Sequence, residues 1–244
     1  MAFRYLLIAL LTVLLLAIPA SIYRLKVILD PKRPKPVRNG RHGDEKPAHL
    51  LIVLGSGGHT AEMIAMLERA VNEKDERLRL DWNSYTQRTW VTGTGDTISA
   101  QRVKEFEEMA TTLPAERSHK ALLVTVPRAR AIHQPLLTTP YSSLRCMLAC
   151  FAILLPSERD FPDIILCNGP AIATILVFTS VLLRFFDVRG CHSPGKMRTV
   201  YVESWARVKK LSLSGMLLET VVDRFLVQWE QLEGGRREYL GVLV

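Results

Sequence analysis

The stretch His49–Thr60, HLLIVLGSGGHT, constrains this chain more than any other. A half-exposed strand alternates apolar and polar residues, whereas the run His49–Leu54 does not alternate and fits a strand covered on both faces of a parallel sheet. The glycines turn the chain at once into a helical pattern with Met63, Ile64 and Leu67 on one face. Further strands are expected at Arg88–Gly93, Lys120–Val126, Asp163–Cys167, Thr199–Val202 and Phe225–Trp229. Between them, Asp96 or Thr97 caps a helix running to Met109, and helical sequence recurs at Tyr141–Leu155 and near Leu213–Val222. Ala171–Leu183 is apolar throughout but short for a membrane span, so it reads as a buried helix or one pressed on a membrane surface. Residues 73–87 are polar and aperiodic and read as a surface insertion. Strands alternating with helices imply right-handed crossovers, so residues 49–237 are expected to form an α/β, Rossmann-like parallel sheet.

Ahead of that domain, Tyr5–Tyr23 is an uncharged run bracketed by Arg4 and Arg24, just long enough to span a bilayer as a helix. The rival reading is a cleaved signal peptide, with Ile18-Pro19-Ala20 faintly like a cleavage site. Against cleavage stand Arg24, Lys26, Lys32, Arg33, Lys35, Arg38, Arg41 and Lys46, since a dense basic flank resists translocation. The expected order is a short luminal N-terminus at 1–4, a span at 5–23 and a basic, proline-rich linker at 24–48. The linker's cations suit anionic headgroups or plain solvent.

Charge then loses its first meaning. The chain carries +8, a value that suggests a nucleic-acid partner, yet residues 1–46 hold nine Lys/Arg against three Asp/Glu. Six of the eight charges thus belong to anchor and linker, and the body offers no nucleic-acid footprint. Cys146, Cys150, Cys167 and Cys191 lie in or beside apolar segments without CxxC spacing, so they read as buried thiols and no metal site is expected.

The turn Gly55-Ser56-Gly57-Gly58-His59-Thr60 stands where the first strand meets the first helix. Exposed N–H groups there favour anions, glycines admit a phosphate closely, and Ser56 and Thr60 offer hydroxyl donors. The alternative is glycines serving only a tight turn. A P-loop would need Lys after the glycines, and a dinucleotide fingerprint would need Gly at position 60 and an acid ending the second strand, where RTWVTG runs into Thr94. No bound cofactor is expected. His59, at a helix N-terminus that disfavours its cation, is either a proton acceptor or a hydrogen-bonding binder.

GSGGHT, PRARAIHQ at Pro127–Gln134, CNGP at Cys167–Pro170, YVESWARVKKLSLSG at Tyr201–Gly215 and DRFLVQW at Asp223–Trp229 occur in one order. In this the chain resembles the membrane-anchoring subunits of the eukaryotic UDP-N-acetylglucosamine transferase that adds the second sugar to the dolichol-linked oligosaccharide. It is more distantly similar to the N-terminal half of the bacterial lipid II GlcNAc transferase, a two-domain GT-B fold. The resemblance implies an endoplasmic reticulum membrane protein, with the outer nuclear membrane as a second site, and a body on the cytosolic face. It implies a half-enzyme that presents the lipid-linked diphosphate sugar acceptor while a soluble catalytic partner holds the nucleotide sugar.

On that resemblance Gly55, Ser56, Gly57, Gly58 and Thr60 face the acceptor diphosphate, and His59 is the candidate base. Arg128 and Arg130 either clamp phosphate or belong to a solvated loop, and Asn168-Gly169 either lines the same cleft or is ordinary loop. Glu203 and Ser204 close the fifth strand, where binding or structure is favoured over a base, with helix capping or a pair to Arg207 as options. The family usually continues CNGPGT, whereas here Ala171 replaces that glycine and Pro135 follows Gln134 in place of a small polar residue. The apolar tail at 238–244, with Leu240, Val242, Leu243 and Val244, suits docking on the partner or packing back on the sheet. The competing function is a non-catalytic adaptor that only anchors a cytosolic protein. A glycosylation acceptor site placed after residue 40 should stay unmodified in cells, and its modification would overturn the topology.

Overall fold

The computed structural model describes residues 2–34, 48–110, 120–130, 134–155, 160–169 and 171–244. Residues 35–47 of the expected linker, residues 131–133 of the PRARAIHQ motif and Pro170 lie outside this set. The body is one seven-stranded sheet, with every ladder parallel. Its strands are β1 (His49–Val53), β2 (Gln87–Gly93), β3 (Lys120–Val126), β4 (Ile164–Asn168), β5 (Arg198–Val202), β6 (Arg224–Val227) and β7 (Arg237–Tyr239). The spatial order is β3-β2-β1-β4-β5-β6-β7, so the winding reverses between β1 and β4, and a ligand crevice is expected at the carboxyl ends of those two strands.

The unbroken apolar run of β1 is explained by its two covered faces. Leu51 and Val53 enter one core with Ile165, Cys167, Tyr201 and residues of α4 (Thr139–Leu154), α5 (Ile172–Phe185) and α6 (Leu213–Leu218). Leu50, Ile52 and Leu54 enter the other with α2 (Gly58–Val71) and α3 (Thr97–Ala110). All four cysteines are buried free thiols.

Three sequence expectations change. Residues 73–87 are not merely a surface insertion, because Trp82 is buried and meets Phe106 edge-on at a ring separation of 5.0 Å. A seventh strand, β7, overlaps the start of the tail expected at 238–244. The tail also returns to the domain through Arg69 Nη1, which donates to Val242 O at 2.7 Å. Yet Leu240, Val242 and Val244 keep their side chains exposed. The third change is the largest: residues 24–34 are docked on the body.

The N-terminal helix α1 (Ala2–Ile28) is the one helix among the described residues that is long and apolar enough to cross a membrane. Its end exchanges caps with α5. Arg24 donates to the carbonyls of Arg184 and Phe185 at the end of α5, and Arg184 donates to the Ile28 carbonyl at the end of α1. Each cation thus serves carbonyls that have no partner inside their own helix. Arg33 then enters the body and meets Asp223 through two bonds of 2.7 and 3.0 Å, both side chains being buried. The same carboxylate accepts from Thr199 N and Oγ1, and Arg33 also donates to the carbonyls of Lys196 and Met197. From the other side, Arg198 donates to the carbonyls of Pro31, Arg33 and Pro34.

Burial pushes the Asp223 carboxyl up, but the Arg33 bond and charge, the Arg184 charge and the Thr199 amide outweigh it and hold it below the usual range. A carboxyl lowered on folding stabilises the fold above its unfolded pKa, near 3.9, and loses that contribution as pH falls through the folded value. Arg33→Ala leaves Asp223 charged and buried, and should cost about 3–5 kcal/mol. At about 2–4 °C per kcal/mol for a chain of this size, thermal denaturation in detergent should show a drop of roughly 10 °C. The difference between variant and parent should shrink towards pH 3, where protonation removes the stranded charge.

Candidate functional site

The reversal between β1 and β4 puts the Gly55–His59 turn beside Asn168-Gly169. Gly57, at φ 62°, precedes α2 without any side-chain cap, so the first N–H groups of that helix are left for a ligand or solvent. His59 packs against two backbone glycines. A Cβ built on Gly55 would stand 2.7 Å from His59 Cβ, and one on Gly169 would stand 2.9 Å from His59 Cγ. Those two glycines therefore make room for the imidazole. Around Gly57 and Gly58, by contrast, a built Cβ meets nothing within 4 Å, and this open stretch suits a ligand.

The imidazole belongs to a polar cluster drawn from three elements. Its Nδ1 lies 3.1 Å from Asn168 Oδ1 and 3.8 Å from Glu62 Oε2. Asn168 Nδ2 donates to Glu62 Oε2 at 3.1 Å, and Ser204 Oγ donates to Glu62 Oε1 at 2.8 Å. The Glu62 carboxylate is the main cause of a His59 pKa held above the ordinary 6.5; burial opposes it, and Asn168 and Glu203 add to it. The helix N-terminus was expected to keep this ring neutral, and Glu62 reverses that. For Glu62 itself burial pushes the pKa up, but contacts with His59, Asn168 and Ser204 bring it below the usual value.

Beside the cluster opens a cavity of about 650 Å³ at the carboxyl edge of the sheet. Gly55, Ser56, Arg128, Arg130 and Arg207 line it, along with apolar Leu213 and Leu217 of α6. Thr174 of α5 also borders it, and its buried hydroxyl has no hydrogen-bond partner. Helices α4 and α6, which line the cavity through Thr139, Ser143, Leu213 and Leu217, also carry exposed Tyr141, Leu144, Leu148 and Met216.

The expected residues divide. Gly55, Ser56, Arg128 and Arg130 line the cavity, while His59, Asn168, Gly169 and Ser204 form the neighbouring cluster. Thr60 is corrected: it is fully buried, and its hydroxyl serves Gly55 O and Ser99 Oγ at the α2–α3 contact, leaving nothing for a phosphate. Glu203 is buried and accepts from Ser204 N, Ser212 N and Ser212 Oγ, so it braces the loop before α6. Sequence reading passed over Glu62 and treated Arg207 only as a pairing option. The spacing of Glu62, three residues after His59 on one helix face, was the available signal. Among the described residues there is no group of three or more His, Cys, Asp or Glu side chains arranged to hold a metal.

Residues 50–243 match the family described as oligosaccharide biosynthesis protein Alg14 like. A protein of Yarrowia lipolytica named UDP-N-acetylglucosamine transferase subunit ALG14 is 35% identical over 240 residues, covering 98% of this chain and 94% of its own. The proteins of the same name from Schizosaccharomyces pombe and Homo sapiens are 39% and 32% identical, each aligned over 80% of this chain and over 83% and 82% of their own lengths. The fold resembles that of MurG from Acinetobacter baumannii with a TM-score of 0.51 at 10% identity, over 79% of this chain and 45% of MurG.

Ala171, in place of the usual glycine, adopts φ 33° at the start of α5 and borders the cavity. An L-residue at positive φ is strained by about 1–3 kcal/mol, of which glycine's extra freedom in the unfolded chain returns up to ~1. Ala171→Gly should therefore raise the denaturation midpoint by a few degrees. A lower midpoint would show that any strain at Ala171 is smaller than the ~1 kcal/mol that glycine's freedom returns to the unfolded chain.

Proposed function

The chain belongs to the Alg14 family, and on that premise we propose that it is the membrane-anchored, acceptor-binding subunit of a UDP-N-acetylglucosamine transferase. With a soluble partner that binds the nucleotide sugar, it transfers the second GlcNAc to GlcNAc-diphosphate-dolichol. Helix α1 spans the endoplasmic reticulum membrane, and the body sits on its cytosolic face. The observation that carries the reading is the cavity. Three arginines from two separate loops line it, the open N-terminus of α2 adjoins it, and the unpartnered Thr174 hydroxyl borders it. That set suits a diphosphate, since arginine and free backbone N–H groups both recognise phosphate oxygens. Apolar Leu213 and Leu217 offer the lipid a wall.

With the diphosphate held there, the acceptor sugar projects over Gly57 and Gly58 towards His59. His59 Nε2 takes the proton of the attacking hydroxyl, the oxygen bonds to C1 of the donor GlcNAc, and the C1–O bond to UDP breaks with inversion. The described residues form one Rossmann-like unit, which supports a division in which a partner protein supplies the nucleotide-binding half; on this reading the chain needs that partner for activity. The exposed side chains of Leu240, Val242 and Val244 suit the partner's surface.

The test is transfer by the complex reconstituted in membranes. His59→Ala should lower turnover by about 100-fold or more while the partner still co-purifies. Arg207→Ala, removing one charge-assisted contact worth about 1.5–3 kcal/mol, should raise the acceptor KM by roughly tenfold or more. Undiminished turnover in His59→Ala would sink the base, and undiminished turnover with the glycine turn also disrupted would favour the adaptor.

A further inference from the structure

We infer that Glu62 is a positioning residue for this proton transfer: acting through the Asn168 amide, it dictates that Nδ1 of His59 carries the ring hydrogen and that Nε2 accepts the substrate proton. The inference rests on the reading of His59 as the base and deepens it.

Donor and acceptor valences carry the argument. A carboxylate can only accept hydrogen bonds. Glu62 Oε2 therefore commits the NH2 end of Asn168 to itself, at 3.1 Å. That leaves Asn168 Oδ1 facing His59 Nδ1 at 3.1 Å. A carbonyl oxygen also only accepts, so Nδ1 must donate, and the lone pair of the neutral ring lies on Nε2. Amide orientation and tautomer are here assigned from the bonding pattern, beginning at the one group whose role is fixed.

The surroundings hold this arrangement. Ser204, just past β5, donates to the other oxygen of Glu62 at 2.8 Å and anchors the carboxylate. A side chain at Gly55 or at Gly169 would collide with the Cβ–Cγ–Cδ2 edge of His59, so both backbones pack close against it. The charged groups that face the ring are Glu62 on its own helix and Glu203 after β5. Both are acidic, so both favour the imidazolium that forms when Nε2 takes the proton.

The experiment measures transfer by the membrane-reconstituted complex across roughly pH 5 to 9. Glu62→Gln keeps the shape and the Ser204 bond but removes the group that can only accept, so Asn168 is no longer compelled to present its oxygen. Its kcat should fall by about tenfold or more, as when the orienting partner of a functional histidine is replaced, with acceptor KM within about twofold of the parent. A base works only when deprotonated, so activity is lost as pH falls through the His59 pKa. Loss of the anion should move that acid limb of kcat/KM to lower pH.

The double variant Glu62→Gln with Asn168→Asp restores the logic by another route. The carboxylate then standing at position 168 can only accept, from Nδ1 on one side and from the new amide at position 62 on the other. That amide keeps its own oxygen for Ser204. Recovery of most of the lost kcat is expected, which a packing role for Glu62 would not produce. Parental kcat and acid limb in Glu62→Gln would overturn the relay, leaving the base intact provided His59→Ala is inactive. An active His59→Ala would instead remove the base reading itself. If Glu62→Gln fails to fold, the double variant decides: a folded double variant held at the His59→Ala rate refutes the relay.

Discussion

The Asp223 carboxylate is the knot on which the relation between anchor and body depends. It takes two bonds from Arg33 and two from Thr199, with Arg184 Nη1 a further 3.8 Å away. Stripping water from a carboxylate and a guanidinium costs several kcal/mol each, so this pair is tolerated because the partners are complete. Completeness has a structural consequence. Asp223 and Thr199 stand at the amino ends of β6 and β5, and Arg33 follows α1 by five residues. The sheet is therefore clasped to the helix that precedes it, and does not swing on a flexible leash at this point.

The clasp grips one edge of the sheet and the candidate chemistry occupies the other. Strands β5 and β6 begin at the knot, whereas the carboxyl ends of β1 and β4 lead into the glycine turn and Asn168. Because all strands run parallel, an element fixed at their start cannot obstruct the crevice at their end. The glycines of that crevice divide their work. Gly55 and Gly169 yield space to an imidazole, and only Gly57 and Gly58 face open space. A turn with so many glycines looks like a phosphate loop in sequence, but the space at one of its three glycines, Gly55, is taken up by a side chain.

This division marks the limit of what the sequence could disclose. Strands β1 and β4 were legible as continuous apolar runs and the other four of β1 to β6 as short β-prone segments, and the fold class followed from their alternation with helices. β7 was not, since Arg-Glu-Tyr at a sheet edge carries no apolar run. Residues 28–34 read as a linker, solvated or lying against anionic headgroups, because local composition says proline and charge, while their partners lie more than 150 residues away. Trp82 failed for a similar reason: a lone aromatic in polar surroundings gives no period, yet it packs between Trp90 and Phe106. In the candidate site the glycines and His59 were visible as a motif. Thr60 was misread because its hydroxyl is consumed across a helix contact with Ser99, and Glu62 was overlooked because nothing local to α2 reveals Asn168 or Ser204 as its partners.

The distribution of bases at the crevice narrows the chemistry further. Glu203 is buried and occupied by three donors from its own and the following loop. Asp96, on the cavity wall, already accepts from the Ser99 amide and hydroxyl at the start of α3. Glu62 stands behind the imidazole with both oxygens engaged. The imidazole beside these carboxylates is partly exposed and bonded through Nδ1, which leaves Nε2 outside that bonding pattern. A partly exposed imidazole beside several cations suits a reaction that needs one proton removed next to a doubly charged group. The arrangement is in keeping with the transfer proposed above, in which one proton leaves a hydroxyl held beside a diphosphate.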